Sequence, residues 1–473
     1  MSKKYIIIDV TTLLKWSRQP VGIIRTQLEF VDYLLQNDET ALYCKFNQNR
    51  DHIELVTTDV ITKVVKNLKN YKQGSQTNST QSDSIKKRYS SIAFINKIAN
   101  YYKENGLKEL LIKICQLKCN EKVKNFAKIV YFKFFRNSSH DTASKNVVLG
   151  NLDTILYSSE IHTAAQSNYD FLNKNAIFVS MGLDWDNSNY PLLYLLKQKY
   201  NFEFVGSFYD GIPIINPELV QSAYFSQMFF SHFYNLIYLS NRIFCISDFS
   251  KNQMVQICEK HHINTIPLLQ TIHLGVSVHE TNTKTNYLKR KHNPNYVLYV
   301  STIESRKNHI LLLKVWQKLQ KEKFKDLPDL VLVGMMGWGV DEMTKLYSED
   351  KELQKIVHFY DDVDDEELVQ IYNDTKFTLF PSFIEGWGLG AVESFLYGKP
   401  CIISNCDALI EATQGLAPSL SPTDIDAWCK MVKEFSSNEK ILAINKTKIE
   451  NEFKPKTWKE FSIDFEKFIK AEK

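Results

Sequence analysis

At 473 residues, with 44% apolar, 24% charged and 13% aromatic side chains, the chain is too long for one ordinary core and too apolar to be disordered or fibrous. Two or three folded domains are expected from that length. The net charge is +4, and no run approaches the roughly eighteen uninterrupted apolar residues of a membrane span; the richest, 225–239, is broken by Ser231, His232 and Asn235.

The chain opens with Tyr5-Ile6-Ile7-Ile8 closed by Asp9, an apolar run too short for a signal peptide that predicts a buried first strand. Residues 10–20 read as a loop, and 22–35 carry apolar side chains at helical spacing. A polar, featureless stretch at 73–84 reads as another loop. Between 84 and 136 thirteen Lys and Arg face only three acids, Glu104, Glu109 and Glu121, while Leu107, Leu110, Leu111 and Ile114 recur at helical spacing. Amphipathic helices with lysine-rich outer faces are expected there, as a basic insertion in the first domain. Short apolar runs at 155–157, 176–180, 202–207 and 242–247 then alternate with helical patterns, which predicts a parallel sheet with helices on both faces.

A polar stretch at 277–295 is the linker candidate, dividing a first domain at 1–276 from a second at 296–455. The second repeats the alternation, with strands at 296–300, 330–333, 356–359, 377–380 and 400–404 and helices at 308–322, 365–373 and 389–397. Two α/β lobes facing across a cleft are expected to hold a ligand between them. The eight cysteines show no repeated Cys-x-x-Cys spacing, and Cys115 and Cys119 read as core thiols, so reduced cysteines and folding in the cytoplasm are expected.

The chemistry concentrates in two stretches. In Phe380-Pro381-Ser382-Phe383-Ile384-Glu385-Gly386-Trp387-Gly388-Leu389-Gly390-Ala391-Val392-Glu393 a strand ends, a glycine-rich turn carries Glu385, and a helix opens near Leu389. Free N–H groups and the positive dipole end at such a helix start suit a diphosphate. Gly386, Gly388 and Gly390 permit close backbone approach. Glu385 on the loop and Glu393 on the helix can reach different parts of one extended ligand, sugar hydroxyls for the first and ribose hydroxyls for the second. In the other stretch, Tyr299-Val300-Ser301-Thr302-Ile303-Glu304-Ser305-Arg306-Lys307-Asn308-His309, a strand leaves the sheet and two positive charges precede a helix. Arg offers paired contacts and Lys a point charge to a diphosphate. The plainer readings are a capped glycine-rich turn and an ordinary basic loop. Both stretches lie at C-terminal strand ends of one sheet, which favours a shared site.

The run Thr302-Ile303-Glu304-x-Arg306-Lys307-Asn308-His309 resembles the donor-phosphate motif of family 4 retaining glycosyltransferases, which have the GT-B fold of two Rossmann-like α/β domains facing across a cleft. Glu385 and Glu393 match that family's Glu-x7-Glu signature, preceded in order by Val333-Gly334 with Gly337-Trp338, Asp364-Asp365-Glu366-Glu367-Leu368, Tyr372 and Phe380-Pro381-Ser382. The resemblance covers 296–412. It implies that Arg306 and Lys307 bind the donor diphosphate, that Glu385 contacts the transferred sugar, and that Glu393 holds the ribose. It also implies that amides around Gly386, Trp387, Gly388 and Leu389 meet phosphate or sugar oxygens, that Gly334 belongs to the loop after the middle strand, and that Phe359 and Val363 flank the base. In the first half, Asp9-Val10-Thr11 and Pro20-Val21-Gly22-Ile23-Ile24-Arg25 resemble the opening of a subgroup that builds bacterial O-antigens and capsules, often with mannose. Gly22 would let that loop lie against the diphosphate. Tyr209-Asp210-Gly211-Ile212-Pro213, Ser247-Asp248 and His273-Leu274-Gly275-Val276 fit it too, making Tyr209, Asp210 and Ser247 acceptor-side candidates; Tyr209 stands where many members have His. The last helix, about 456–471, is expected to cross back onto the first domain, as in relatives.

Three acid-x-acid patterns, Asp184-Trp185-Asp186, Asp362-Val363-Asp364 and Asp424-Ile425-Asp426, read as helix caps or solvated acids, and the histidines lack clear ligand spacing, so no metal is expected. The basic, aromatic-rich segment 84–136 is either a solvated helical face or a surface for anionic lipid; no nucleic-acid module is recognisable. The expected activity is transfer of a sugar from a nucleoside-diphosphate sugar to a glycan or lipid-linked glycan acceptor. The alternatives are an epimerase or phosphorylase on the same fold, or a catalytically silent scaffold.

Overall fold

The computed structural model describes residues 4–71, 169–277 and 292–471. The stretch at 73–84, the basic segment at 84–136, the strand expected at 155–157 and most of the linker at 277–295 lie outside the described residues.

The first lobe opens with β1 (Tyr5–Asp9), α1 (Thr11–Lys15), α2 (Ile23–Asn37), β2 (Leu42–Phe46), β3 (Ile53–Val56) and α3 (Thr58–Lys69). It continues with β4 (Ala176–Val179), α4 (Asp184–Asn187), α5 (Tyr190–Tyr200), β5 (Glu203–Phe208), α6 (Ile212–Ile215), α7 (Ala223–Leu239), β6 (Arg242–Cys245), α8 (Asp248–Lys260) and β7 (Leu268–Thr271). Seven strands pair in the order β3-β2-β1-β4-β5-β6-β7. The pairs are parallel, with Tyr5 beside Ala176 and Ile7 beside Leu42, except that β3 returns antiparallel on β2. Ile6, Ile7 and Ile8 are wholly buried, as a central parallel strand covered on both faces requires. The segment read as a loop at 10–20 holds one helical turn instead. Asp9 accepts from the Thr11 amide at 2.9 Å, and Leu14 N–H donates to the Val10 carbonyl at 3.1 Å.

The second lobe comprises β8 (Tyr296–Val300), α9 (His309–Lys321), β9 (Asp329–Val333), α10 (Asp341–Glu349), β10 (Val357–Tyr360), α11 (Asp365–Asp374), β11 (Thr378–Phe380), α12 (Leu389–Leu396), β12 (Cys401–Ser404), α13 (Asp407–Ala412), β13 (Ser419–Leu420) and α14 (Ile425–Ser437). Its six strands run β10-β9-β8-β11-β12-β13, and all the pairs are parallel. In each sheet the strand order reverses once, between β1 and β4 in the first and between β8 and β11 in the second. Such reversals open a crevice at the carboxyl ends of the strands, where open α/β sheets take ligands.

After α15 (Glu439–Glu452) the chain crosses to the first lobe as α16 (Trp458–Lys470). A capping box of Thr457 and Glu460 starts this helix. The crossing is tight: a Cβ on Gly275 would lie 2.4 Å from the Trp458 backbone. Phe465 then sits between the rings of Phe30 and Phe244, each with its centroid 4.7 Å away, and buried Arg242 donates to the Phe468 and Ile469 carbonyls at 2.8 and 2.7 Å.

Candidate functional site at the strand ends of the second lobe

The loops leaving the two strands at the second switch point are tied together before any charge is considered. After β8 a short 3-10 turn, Ser305–Lys307, leads to Asn308 in the left-handed region (φ 56°), and α9 begins. Buried Asn308 donates to the Pro381 carbonyl at 3.1 Å, joining this turn to the loop after β11. The loop after β9 laces onto the same backbone: Ile303 N–H donates to Met335 O at 2.9 Å, Gly337 N–H to Ile303 O at 2.8 Å and Ser305 N–H to Trp338 O at 3.0 Å. Gly334 (φ 149°) makes this possible, because a Cβ there would fall 2.0 Å from the Ser301 carbonyl oxygen.

Within that frame Glu385 meets both bases. Its Oε1 accepts from Lys307 Nζ at 2.6 Å and from Ser382 Oγ at 2.7 Å, and its Oε2 from Arg306 Nη1 at 2.7 Å. Arg306 Nε lies 2.6 Å from Glu304 Oε1, so the guanidinium is bracketed by two acids. Burial would raise the Glu385 carboxyl, but Lys307 and Arg306 outweigh it and hold the group down at about 2. Burial also favours the neutral forms of Arg306 and Lys307. The surrounding acids reverse this for Arg306, whereas Lys307, beside Arg306, stays below the usual lysine range. Glu304 appeared in the sequence only as a letter of the motif. It is the extended residue just before the 3-10 turn that carries Arg306.

The first lobe's strand ends face this cluster. Tyr209 is buried and donates to the Met181 carbonyl at 2.7 Å, while Asp210 accepts from the Ile212 amide at 3.1 Å. Burial raises Asp210 against the pull of Arg306. Gly386 comes so close that a Cβ would lie 2.7 Å from the Tyr209 carbonyl and 3.1 Å from Asp210 Oδ2. Its carbonyl accepts from Ser247 Oγ at 2.7 Å and Ser250 Oγ at 3.2 Å. The glycine at 386 thus admits the other lobe, and the Ser247 hydroxyl is engaged inside the protein. Gly388 (φ 123°) caps α12, whose opening N–H groups point out of the helix start. Trp387 stacks on His273 with centroids 4.7 Å apart, and its buried indole N–H lacks a hydrogen-bond partner.

Residues 281–448 match the family model described as Glycosyl transferases group 1. The second lobe is a glycosyl transferases group 1 domain. Over 132 residues the chain is 33% identical to the O-antigen chain mannosyltransferase B of Escherichia coli, covering 28% of this chain and 34% of that one. Over 214 residues it is 26% identical to the serotype-specific mannosyltransferase WbdA of Escherichia coli, covering 41% of this chain and 26% of that one. The chain therefore spans about a third or less of these relatives. Among solved structures, the Anabaena protein HepE in complex with UDP and glucose superposes with a TM-score of 0.55 at 11% identity, over 98% of this chain and 99% of that one. The trehalose-6-phosphate phosphatase N-terminal domain of Candida albicans gives 0.56 at 13% identity, over 99% and 97%. At such identities the likeness shows the fold, the two-lobed GT-B arrangement, and nothing finer.

The remaining candidates, from both lobes, have partners of their own. Glu393, the fifth residue of α12, is approached by the Tyr372 hydroxyl at 3.5 Å. Burial raises its carboxyl to about 7, against the charge of Arg25 from the first lobe. Gly22 (φ 52°) caps α2 in open surroundings, and nearby Gln19 donates to Asp365 of the group 1 domain, so that loop does meet the second lobe. Phe359 and Val363 belong to different apolar clusters. Phe359 packs on Tyr347, with centroids 4.9 Å apart, in one apolar cluster, and Val363 packs with Tyr360 and Leu368 in another.

Two further groupings escaped the sequence. Asp364 and Asp424 are helix caps and Asp186 is exposed, but Asp184 is neither cap nor solvated. It is 4% exposed, beside Asp9 at the first sheet's switch point. Burial and the Asp9 charge raise it to about 8, and burial raises Asp9 to about 6. His273 joins Asp248 and Glu411, with ligating atoms within 4.8 Å of one another. Glu411 also accepts from the backbone amides of Asp248 at 2.7 Å and Phe249 at 3.1 Å, so its carboxylate bridges α13 of the group 1 domain to the start of α8.

Proposed function

We propose that the protein is a retaining glycosyltransferase of the family 4 type, moving a sugar from a nucleoside diphosphate to a growing bacterial surface polysaccharide. Mannose is the sugar suggested by the relatives' names. The observation that carries this reading is the charge cluster of Arg306, Lys307 and Glu385 at the switch point of a group 1 domain. A diphosphate entering beside these cations would meet them most strongly as the glycosidic bond breaks and charge builds on its leaving oxygen. The helix start at Gly386–Leu389 adds amides and a positive dipole end. Glu385, held ionised, stands ready beside the sugar carbon as it gains positive character. Glu393 takes ribose hydroxyls, and Tyr209 and Asp210 border the acceptor side.

On this reading the cations and the helix do the work a metal does elsewhere, and turnover should survive a chelator. The thirteen bases at 84–136 support contact with an anionic membrane surface on the cytoplasmic side, where each basic residue contributes about 1 kcal/mol. Such contact suits a lipid-linked acceptor. Among the described residues no helix is long and apolar enough to cross a membrane.

Calorimetric titration with UDP, GDP and dTDP, followed by a turnover screen of the matching sugar nucleotides, tests the proposal. At least one nucleotide should bind, and the double variant Arg306→Ala, Lys307→Ala should lose it. Unchanged affinity in that variant would refute the phosphate role. Conversion of the donor sugar without an acceptor would favour an epimerase.

A further inference from the structure

Outside the charge cluster lies the long helix α7 (Ala223–Leu239). Its seventeen residues, AYFSQMFFSHFYNLIYL, contain no Asp, Glu, Lys or Arg. One side is core, with Phe229, His232, Phe233, Leu236 and Ile237 buried. A surface helix of this length ordinarily turns charged residues to water on its other side. Here that side carries Tyr224 (76% exposed), Gln227, Ser231, Asn235 and Tyr238 (54% exposed), three or four residues apart along one stripe. Tyr234 lies against Tyr238 with ring centroids 4.7 Å apart and hydroxyls 3.3 Å apart, and Tyr194 of the neighbouring α5 is exposed as well.

The stripe begins at the rim between the lobes. Four residues before its first turn, the carbonyl of Leu219 accepts from Ser305 Oγ and Trp338 Nε1 of the group 1 domain, each at 3.2 Å. From Tyr224 to Tyr238 it then runs about 21 Å at 1.5 Å per residue. Its chemistry selects among occupants. Nucleic acid or an anionic lipid surface would call for Lys or Arg, and α7 itself has none, while Lys197 of α5 is engaged on the Leu239 carbonyl at its end. The exposed large side chains of the helix are tyrosines, with amides and hydroxyls between them. Flat rings for C–H faces and neutral donors and acceptors for hydroxyls match an uncharged sugar chain.

We propose that this face of α7 is a binding track for a neutral oligosaccharide, holding the part of the glycan that extends beyond the cleft. The ligand's identity as acceptor rests on the transferase reading; the track itself rests on the chemistry of the helix face. Because the chain's far end would be held here, affinity should rise with oligosaccharide length rather than level off at one or two sugars.

The test is titration of the full chain with α-linked mannose oligosaccharides of two to six units and with neutral gluco-oligosaccharides, followed by calorimetry or ligand-observed magnetic resonance. Wild-type affinity should rise with length, and Tyr224→Ala with Tyr238→Ala should weaken the longest ligand, each ring contributing roughly threefold to tenfold. Tyr→Phe at both positions should keep most of the affinity, because the rings remain. Both tyrosines are exposed, so the variants should keep the wild-type melting temperature. Length-independent binding, no oligosaccharide binding at all, or an unchanged double alanine variant would overturn the track. So would sedimentation with phosphatidylglycerol vesicles that the alanine pair abolishes while oligosaccharide affinity stays, which would assign the face to lipid. Nucleotide titration of the same variants keeps the two ideas separate: loss of UDP, GDP and dTDP binding in the wild type would sink the transferase reading and leave the oligosaccharide result standing.

Discussion

At the strand ends of the second lobe, Glu385 has an ammonium, a guanidinium and a hydroxyl within 2.7 Å. At those of the first lobe, Asp9 leans on Thr11, and Asp184 on Ser180 and the Gly182 amide, with Lys15 the cation whose charge reaches Asp9. Both places are sheet reversals with buried acids, yet the carboxyl of one is held at about 2 and that of the other pushed up to about 8. Depth of burial does not separate them, since Glu385 is 7% exposed and Asp184 4%. Partnership does: a buried carboxylate keeps its charge where cations and donors surround it and gives it up where they do not.

Neutralising one charge in each region tests that contrast. Glu385→Gln keeps the shape of the compensated cluster and removes its central anion. Turnover should fall about 10²–10³-fold, the range seen when one preorganised electrostatic group is lost. Nucleotide affinity should hold or rise, because Arg306 and Lys307 are released. Turnover within about threefold of wild type would remove Glu385 from the reacting centre. Glu304→Gln acts one step away, through Arg306. Losing a hydrogen bond to a charged group costs about 1.5–3 kcal/mol, so the donor KM should rise roughly tenfold to a hundredfold while kcat stays close to wild type. Equal losses in kcat and kcat/KM would place Glu304 at the transition state instead.

The unequal legibility of the two regions has the same physical root. Arg306, Lys307 and Glu385 sit in short strand–turn–helix windows, where glycines and charges at a strand end report their surroundings locally. Three of the four switch-point strands were equally plain, because the apolar runs at 5–8, 176–179 and 296–300 leave few alternatives in an α/β pattern. Asp184 could not be read that way. Asp-Trp-Asp ahead of a helix looks like a cap, and its neighbours come from far back in the chain: Asp9 faces Asp184, and Thr12 Oγ1 accepts from the Leu183 amide at 3.0 Å and from Asn187 at 3.1 Å. Glu411 and His273 are likewise joined only by the folding of two lobes. Phe359 and Val363, which the resemblance implies flank the base, belong to different apolar clusters, because Phe359 is on β10 and Val363 lies beyond its end.

The uncompensated pair makes its own prediction, in stability rather than turnover. Asp184 has a folded value raised from the ordinary carboxylate range to about 8, so the folded state prefers its neutral form. That contribution is fully present below the unfolded value near 4 and is lost as pH rises through 8. Asp184→Asn copies the neutral acid at every pH. At pH 5 the variant should melt close to the wild type, and the gap should widen as pH rises, to a few degrees above it at pH 9. A variant that tracks the wild type at both pH values would mean that Asp184 is ionised in the fold, and the contrast between the lobes would then narrow to one of degree.

The smallest effect is expected where the lobes are fastened. Glu411 takes two backbone amides at the start of α8 and lies 2.8 Å from His273 Nε2, so one carboxylate anchors the group 1 domain to two elements of the first lobe. It does not act alone: Ser247 and Ser250 hold the Gly386 carbonyl, and Ser305 and Trp338 hold that of Leu219. Glu411→Ala should therefore loosen closure without abolishing it. The donor KM should rise roughly twofold to tenfold, the cost of one or two ordinary hydrogen bonds, with kcat nearly intact and a larger radius of gyration in small-angle scattering. Because Glu411 touches neither Arg306 nor Glu385, a fall in kcat as large as that of Glu385→Gln would show that the charge cluster is assembled only when the lobes are shut. The ionised state of Glu385 would then belong to the closed pair of lobes, and not to the second lobe by itself.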